Sequence, residues 1–212
     1  MPNSITEISN ATPIITATKL TYDNFLRLHA GRRTEYVDGE VLAKMTVTRT
    51  HDNLTGFLNA ILRAYVESRG LGRIYGDAFQ MKLSVGGAIK GREPDVLFVS
   101  RENLRRVSER FLDGPADLAV EVVSADSVDR DRVEKFGEYE SAGVREYWII
   151  DPSLETVEFY GLDATGVFRL LPISGEGVFE SKVIEGLQIE TSWFWRDEMP
   201  KLLDVFKYWD LV

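Results

Sequence analysis

Apolar residues recur along the chain with two periods, one typical of helices and one typical of strands. Between residues 49 and 69 they fall at positions i, i+3 and i+4, which predicts a long amphipathic helix. A shorter helix is predicted for TYDNFLRLHA, with Thr21 as its N-cap. A further helix is predicted to begin near Ser127 or Asp129 and to stop at Gly143, where the polar pattern ends.

Short apolar or alternating runs, bounded by Gly, Pro and Asp, predict the strands. DLAVEVVS and VREYWIID are apolar almost throughout, as expected of strands covered on both faces. RIYGDAFQMKLSV is interpreted as one alternating strand, GGAIKG as a turn and EPDVLFVS as the next strand. The Asp-Gly pair in TEYVDGEVLAKM predicts a hairpin. The pieces ETVEFYGL, GVFRLLPI and GVFESKVI predict an antiparallel C-terminal meander.

These elements predict one α/β domain over residues 19–212, with a mixed central sheet flanked by helices. A length of 212 residues fits such a single domain. Residues 1–18 are rich in Thr, Ser and Asn and have no clear period, so they are interpreted as a loosely ordered N-terminal arm.

Composition excludes several kinds of site. The chain has no cysteine, which rules out disulfides, thiolate metal sites and cysteine nucleophiles and suits a cytoplasmic protein. The net charge of -9 counts against strong non-specific affinity for nucleic acid, but it leaves room for a local basic face or for acids around a divalent cation. No apolar run is long enough to span a bilayer and no secretory signal opens the chain, so no membrane partner is expected.

Two acids occur where the pattern predicts buried strands. Asp95 follows Pro94 at the start of one strand, and Glu121 lies in the middle of DLAVEVVS. A buried carboxylate costs on the order of a few kcal/mol unless it is paired, hydrogen-bonded or metal-bound. Taken singly, Asp95 could cap a turn and Glu121 could form a salt bridge. The pair, followed by Lys135 on the next helix, instead favours metal-assisted phosphodiester hydrolysis.

Other polar residues are weaker candidates. Asp131 lies four residues before Lys135 on the same helix face and could orient it, or the two could form a plain surface pair. His51 could touch a phosphate or a metal, or serve the start of its helix. Gln80 could point at the cleft or make a cross-strand hydrogen bond. The arginines after the Asp95 strand could contact phosphates, but acids in the same run also fit a solvated helix; they include Arg101, Arg105 and Arg106.

Four stretches together resemble the Uma-type family of putative restriction endonucleases, within the PD-(D/E)XK nuclease superfamily. They are EPDVLFV, the run from PADLAVEVVS to YWIIDP, the upstream RTEYVDGEVLAKM with the His51 helix, and GLQIETSWFW. The resemblance implies a restriction-endonuclease-like fold, Asp95 and Glu121 as ligands of Mg²⁺ or Mn²⁺, and DNA as substrate. Glu40 follows the Asp-Gly turn and could be a solvent-facing hairpin residue, whereas the resemblance implies that it is an additional acid lining the cleft. The superfamily lysine is expected two residues after the second acid, where this chain has Val123. Lys135 is the expected replacement.

The leading hypothesis is therefore a Mg²⁺-dependent endonuclease acting on DNA, with a backbone carbonyl near Val122 or Val123 as a further ligand. One alternative is a catalytically degenerate binding or assembly module, in which the acids form a structural ion-pair cluster. Another is a metal-dependent phosphoesterase on a small substrate, which would show a closed pocket. A homodimer is compatible with symmetric cutting of a duplex, because that reaction needs two sites.

Overall fold

The computed structural model describes residues 19–29, 31–44, 46–124, 127–196 and 198–212. The predicted N-terminal arm, residues 1–18, lies outside the described residues, and the assignment of one domain to residues 19–212 stays a prediction. The helices are α1 (Tyr22–His29), α2 (Arg49–Ser68), α3 (Lys135–Ala142) and α4 (Leu202–Tyr208). Short 3₁₀ turns span Arg101–Arg106 and Thr191–Phe194, and a π-helical turn spans Arg130–Glu134.

The strands are numbered in chain order. They are β1 (Thr34–Val37), β2 (Glu40–Ala43), β3 (Gly72–Gly76), β4 (Gln80–Val85), β5 (Ala88–Arg92), β6 (Val96–Ser100), β7 (Phe111–Asp113), β8 (Leu118–Val122), β9 (Glu146–Asp151), β10 (Thr156–Leu162), β11 (Phe168–Leu170), β12 (Val178–Glu180) and β13 (Gln188–Glu190).

The largest sheet has six strands in the order β11-β10-β9-β8-β6-β3. Its central pair, β8 and β9, is parallel and is connected by the segment that carries α3, while the other pairs are antiparallel. This confirms the predicted mixed sheet flanked by helices. The apolar face of α2 packs on one side of it, where Leu58, Ile61 and Leu62 join Val120 and Trp148 in one buried cluster. Strands β6 and β8 of this sheet position the acids of the candidate active site.

A second, five-stranded sheet has the order β2-β1-β5-β4-β7. Its first two strands form the predicted hairpin, in which Asp38 and Gly39 both adopt positive φ (53° and 92°). Asp-Gly suits this turn because Gly accepts positive φ freely and Asp tolerates it. The hairpin reaches the rest of the sheet through β1 and β5, which pair at Tyr36 and Gly91.

Two strand predictions were wrong. RIYGDAFQMKLSV is not one strand, because a turn with Ala78 at a φ of 68° divides it into β3 and β4, which belong to different sheets. AIKG is not a turn, because the chain reverses at Gly86 and Gly87 alone and β5 begins at Ala88. In both stretches alternation continues past the turn, so the pattern does not reveal where the chain changes direction.

The C-terminal meander is antiparallel, as predicted, but it is divided between two sheets. β10 and β11 extend the six-stranded sheet beyond β9, whereas β12 and β13 pair with each other. Buried Glu146 helps to fix this region, because its carboxylate accepts hydrogen bonds from Trp148 Nε1 (2.7 Å), Ser181 Oγ (2.9 Å) and the Lys182 backbone N–H (2.7 Å). Within the described residues no helix combines the length and apolar character needed to span a membrane.

Candidate active site

The two strand acids lie side by side because of the register of the six-stranded sheet. β6 and β8 are antiparallel, with Val96 opposite Val120. Asp95 precedes Val96 and Glu121 follows Val120, so the same register brings the two carboxyl groups to adjacent positions. Both residues are buried, at 3% and 2% exposure. The sheet thus brings together the pair that the sequence singles out.

Asp95 is held through one of its two carboxylate oxygens. Oδ2 contacts His51 Nε2 at 3.1 Å and accepts a hydrogen bond from the Val122 backbone N–H at 2.8 Å. Oδ1 lies 3.7 Å from Lys44 Nζ, beyond hydrogen-bonding distance. Burial opposes ionisation of Asp95, but the His51 hydrogen bond and the Lys44 charge outweigh it and lower the pKa of this carboxyl. Asp95 is therefore an oriented carboxylate with one oxygen left for a ligand.

Lys135 lies among three carboxylates. Its Nζ is 2.8 Å from Glu121 Oε1, 3.2 Å from Asp131 Oδ1 and 3.2 Å from Glu35 Oε1. The side chain is 1% exposed. Burial alone would lower the pKa of Lys135, but the charges of Asp131, Glu121 and Glu35 reverse this effect and raise it. The ammonium therefore stays charged and balances part of the acidic cluster.

The helix that carries Lys135 begins with an irregular turn. The Lys135 backbone N–H donates to the Arg130 carbonyl, five residues earlier, as in a π-helix. Within this turn the Asp131 N–H donates to the Ser127 carbonyl at 2.8 Å, and Tyr147 Oη donates to the Asp131 carbonyl at 2.9 Å. The sequence predicts a regular helix here. The structure instead has a wider π-helical turn, which contains Asp131 and is followed directly by Lys135.

Glu35 is a site residue that the sequence analysis missed. It lies on β1, and its Oε2 is 2.8 Å from a nitrogen of the buried Arg92 guanidinium. Burial opposes ionisation, but Lys135 and Arg92 together lower the pKa of Glu35 well below its ordinary value. The sequence did contain one signal for Glu35, because it is an acid within the alternating run TEYV. Glu40, the other candidate acid of this hairpin, is exposed at the start of β2, which is the solvent-facing alternative, and it does not line the cavity beside Asp95 and Glu121.

The pKa values of Glu121 and Glu35 are shifted in opposite directions. Burial and the negative charges of Asp131 and Asp95 raise the pKa of Glu121 to about 8, although Lys135 opposes the shift. Glu35 also contacts Arg92, and Asp131 Oδ1 lies 3.8 Å from Arg130 Nε, whereas Glu121 pairs with Lys135 alone among the described residues. Glu121 Oε1 also accepts a hydrogen bond from Tyr139 Oη at 2.8 Å.

A cavity of about 30 Å³ lies between these groups. Asp95, Glu121, Lys44, His51 and Lys135 are among the residues that line it. Such a volume holds about one water-sized species.

The donor set fits Mg²⁺, which is commonly bound by one or two carboxylates with water completing its shell. Asp95 Oδ1 has no hydrogen-bond donor among the residues that the structure describes. In that part of the chain, no group of three or more His, Cys, Asp or Glu is placed to hold a metal, so waters would supply the other ligands.

The remaining predicted residues lie at varied distances from this cavity. Asp131 lines it. Gln80 is buried nearby, but its Nε2 donates to Glu93 Oε1 (2.7 Å) and the Thr34 carbonyl (2.8 Å) rather than to Asp95. The three arginines follow the far end of β6, a strand's length from Asp95; they are Arg101, Arg105 and Arg106. Lys44, which sequence reasoning missed, lies at the cavity instead.

Comparisons with known proteins give a consistent result. The model of the Uma2 family, described as "Putative restriction endonuclease", matches residues 22–192. A solved structure, that of a putative nuclease belonging to DUF820 from Anabaena variabilis ATCC 29413, superposes with a TM-score of 0.67. The match covers 82% of this chain and 97% of that chain at 16% identity, so it shows a shared fold. A search of curated proteins gave no match.

Proposed function

The chain belongs to the Uma2 family of putative restriction endonucleases, and on this basis we propose that it is a Mg²⁺-dependent endonuclease that hydrolyses DNA phosphodiester bonds. Membership of this family supports a nuclease function, but it does not specify the metal or the substrate. The observation that carries the proposal is the adjacency of Asp95 and Glu121 at a cavity bordered by two lysines. DNA as the substrate, a cytoplasmic location and a homodimer are parts of the proposal.

In this proposal Asp95 and Glu121 hold the metal, with a backbone carbonyl near Val122 or Val123 as a further ligand. When bound, Mg²⁺ lowers the pKa of a coordinated water and offsets negative charge on the phosphate. His51 keeps Asp95 in one orientation through its hydrogen bond to Oδ2. The raised pKa of Glu121 opposes metal binding as the pH falls, because metal ligands are deprotonated.

The two lysines have different proposed roles. Lys135 borders the cavity and contacts Glu121, so it can position a water in that cavity and stabilise charge on the reacting phosphate. Lys44 is held by the Glu93 carbonyl at 2.9 Å and by Asp77 Oδ1 at 3.2 Å. The Lys44 ammonium lies on the Oδ1 side of Asp95, so it can contact a phosphate oxygen that binds next to Oδ1.

One observation favours the alternative of a degenerate binding module. Lys135 already has three carboxylate partners within 3.2 Å, so a water or a phosphate would compete with them. A phosphoesterase on a small substrate is favoured less, because the cavity adjoins an open recess of about 270 Å³ rather than ending in a closed pocket.

Calorimetric titration with Mg²⁺ and Mn²⁺ tests the proposal, on the wild type and on the double variant Asp95→Ala with Glu121→Ala. We expect saturable binding to the wild type and none to the variant, with circular dichroism showing that both are folded. A DNA-cleavage assay on the same two proteins follows. Absence of binding to the wild type at millimolar metal would contradict the proposal and favour the degenerate module.

A further inference from the structure

A recess of about 270 Å³ adjoins the cavity of the candidate active site and runs along the N-terminal half of α2. The two share four lining residues: Arg33, Val47, His51 and Asp95. The helix contributes one continuous face at positions i, i+3, i+4 and i+7; its members are Asp52, Thr55, Gly56 and Asn59. A ligand bound at Asp95 therefore extends naturally over this helix face.

Gly56 is the unusual residue of that face. It lies inside a 20-residue helix, where glycine is less favourable than almost any other residue. Packing does not require it, because a Cβ at position 56 would meet nothing within 4 Å. Gly76 and Gly91 differ, since a Cβ there would lie 2.5 Å from a neighbouring side-chain atom. A helix glycine that faces open space instead permits close approach of a ligand to the backbone.

The charges of the recess indicate which part of a nucleic acid would fit. Asp52 and Asp77 line it, and Arg33 is already paired with Asp77 at 3.1 Å. These acids repel a phosphate, but they accept hydrogen bonds from the exocyclic amino groups of bases. Thr55 and the Asn59 amide add further hydrogen-bonding groups. The recess is therefore suited to the uncharged sugar and base of a nucleotide.

We propose that this recess binds the nucleoside next to the phosphate that is cut, with its base unstacked and lying over Gly56. The proposal rests on the nuclease function proposed above. It assigns DNA recognition to α2, on a face next to His51 that carries none of the three proposed catalytic residues and none of the predicted arginines.

The test is a pair of matched substitutions, Gly56→Gln and Gly137→Gln. Gly137 is also an exposed glycine inside a helix, and its Cβ would likewise meet nothing within 4 Å, but it lines neither cavity. Both variants should have a higher Tm than the wild type, because glutamine is the better helix former. Both should bind Mn²⁺ with unchanged affinity.

Binding is measured by fluorescence anisotropy with two single-stranded oligonucleotides of equal length, one of ordinary DNA and one built of abasic units, with Ca²⁺ replacing Mg²⁺. We expect Gly56→Gln to weaken binding of ordinary DNA by about tenfold and to leave binding of the abasic strand unchanged. Gly137→Gln should match the wild type with both strands.

Three results would overturn the inference. If Gly56→Gln binds ordinary DNA as the wild type does, the recess does not hold a nucleoside. If it weakens both strands equally, the backbone rather than the base lies over Gly56. If the wild type binds Mn²⁺ but neither single-stranded nor duplex DNA, the nuclease proposal fails together with the inference, which separates that outcome from the other two.

Discussion

The ammonium of Lys135 lies 2.8 Å from Oε1 of Glu121, and it reaches that carboxylate from a helix rather than from the strand that carries Glu121. The strand position that the superfamily pattern assigns to lysine is Val123, which is buried in an apolar cluster with Tyr139 and Val144. A lysine at 123 would have to enter that cluster. The ammonium that contacts Glu121 comes instead from the start of α3, in the middle of the connection between β8 and β9.

Replacing Lys135 with Met should destabilise the protein by about 3–5 kcal/mol, because it leaves buried carboxylates without their shared cation. Urea denaturation of the metal-free protein measures this loss. Lys182→Met, at an exposed lysine, is the control and should change stability by less than about 0.5 kcal/mol. A Lys135 variant as stable as the wild type would mean that the acids are protonated rather than paired.

The Asp95→Asn substitution keeps the shape of the side chain but removes its charge. We expect Mn²⁺ affinity to fall by more than about tenfold, because loss of a ligand should cost at least as much as loss of a residue that orients one. Calorimetry gives the affinity, and a thermal melt shows whether the fold is retained. Asp113→Asn changes an exposed carboxylate and should leave Mn²⁺ binding as it is. Equal affinities for the two variants would remove Asp95 from the metal site.

Stability of the metal-free protein should fall as the pH rises from about 5 to about 8. The pKa of Glu121 is raised to about 8 in the folded state, so across this window the folded state binds a proton that the unfolded state has released. Glu93, whose burial raises its pKa to about 7, acts in the same direction. One such group changes the free energy of unfolding by at most about 1.4 kcal/mol per pH unit.

Below about pH 4 the dependence should reverse, because Asp95 and Glu35 have lowered pKa values in the folded state and stabilise it only while they are ionised. Urea midpoints measured from pH 3 to pH 9 check both limbs. Glu121→Gln should flatten the upper limb, whereas Glu180→Gln, at an exposed position, should not. An unchanged upper limb in the Glu121 variant would mean that this residue is ionised throughout.

Arg92→Met should also destabilise the fold by about 3–5 kcal/mol. The guanidinium is fully buried; it bonds Glu35 at 2.8 Å and holds Glu138 through two hydrogen bonds of 2.7 and 2.9 Å. It therefore joins β5 to β1 and to α3. Thermal and urea melts give the loss, and Arg73→Met, whose side chain is 61% exposed, serves as the comparison. Similar stabilities for the two variants would show that the buried network adds little.

The part of the site that the sequence predicts is the part with an exceptional local pattern. An acid inside a strongly apolar strand is rare, and this made Asp95 and Glu121 recognisable. Glu35 and Glu40 both occur in an alternating hairpin, where either face could turn towards the core. Only the pairing of β1 with β5 decides between them, and that contact depends on residues far away in the chain. Lys44 was missed for the same reason.

The fold shows a similar division. Helices and strands with a strong pattern were predicted correctly, including α2 and the buried strands β8 and β9, although their parallel pairing was not predicted. The transition from β3 to β4 was not predicted, because the alternation on both sides of Asp77 hides a change of sheet. The π-helical turn was not predicted either, since a period of 3.6 residues fits the segment almost as well over so short a length.

That turn has a consequence for how such a site could be gained or lost. A π-helical turn corresponds to one extra residue in an α-helix, and each residue of an α-helix rotates the chain by about 100°. The turn absorbs that extra residue, so a deletion between Arg130 and Glu134 would restore regular helix and leave Lys135 facing Glu35 and Glu121. One further inserted residue would instead rotate Lys135 away from both acids, while every strand kept its residues and register. Glu35 and Glu121 lie on strands, whereas Lys135 lies on the helix, so their positions depend on different elements. A single codon insertion in this turn, with no other change of sequence, could separate the lysine from the acids.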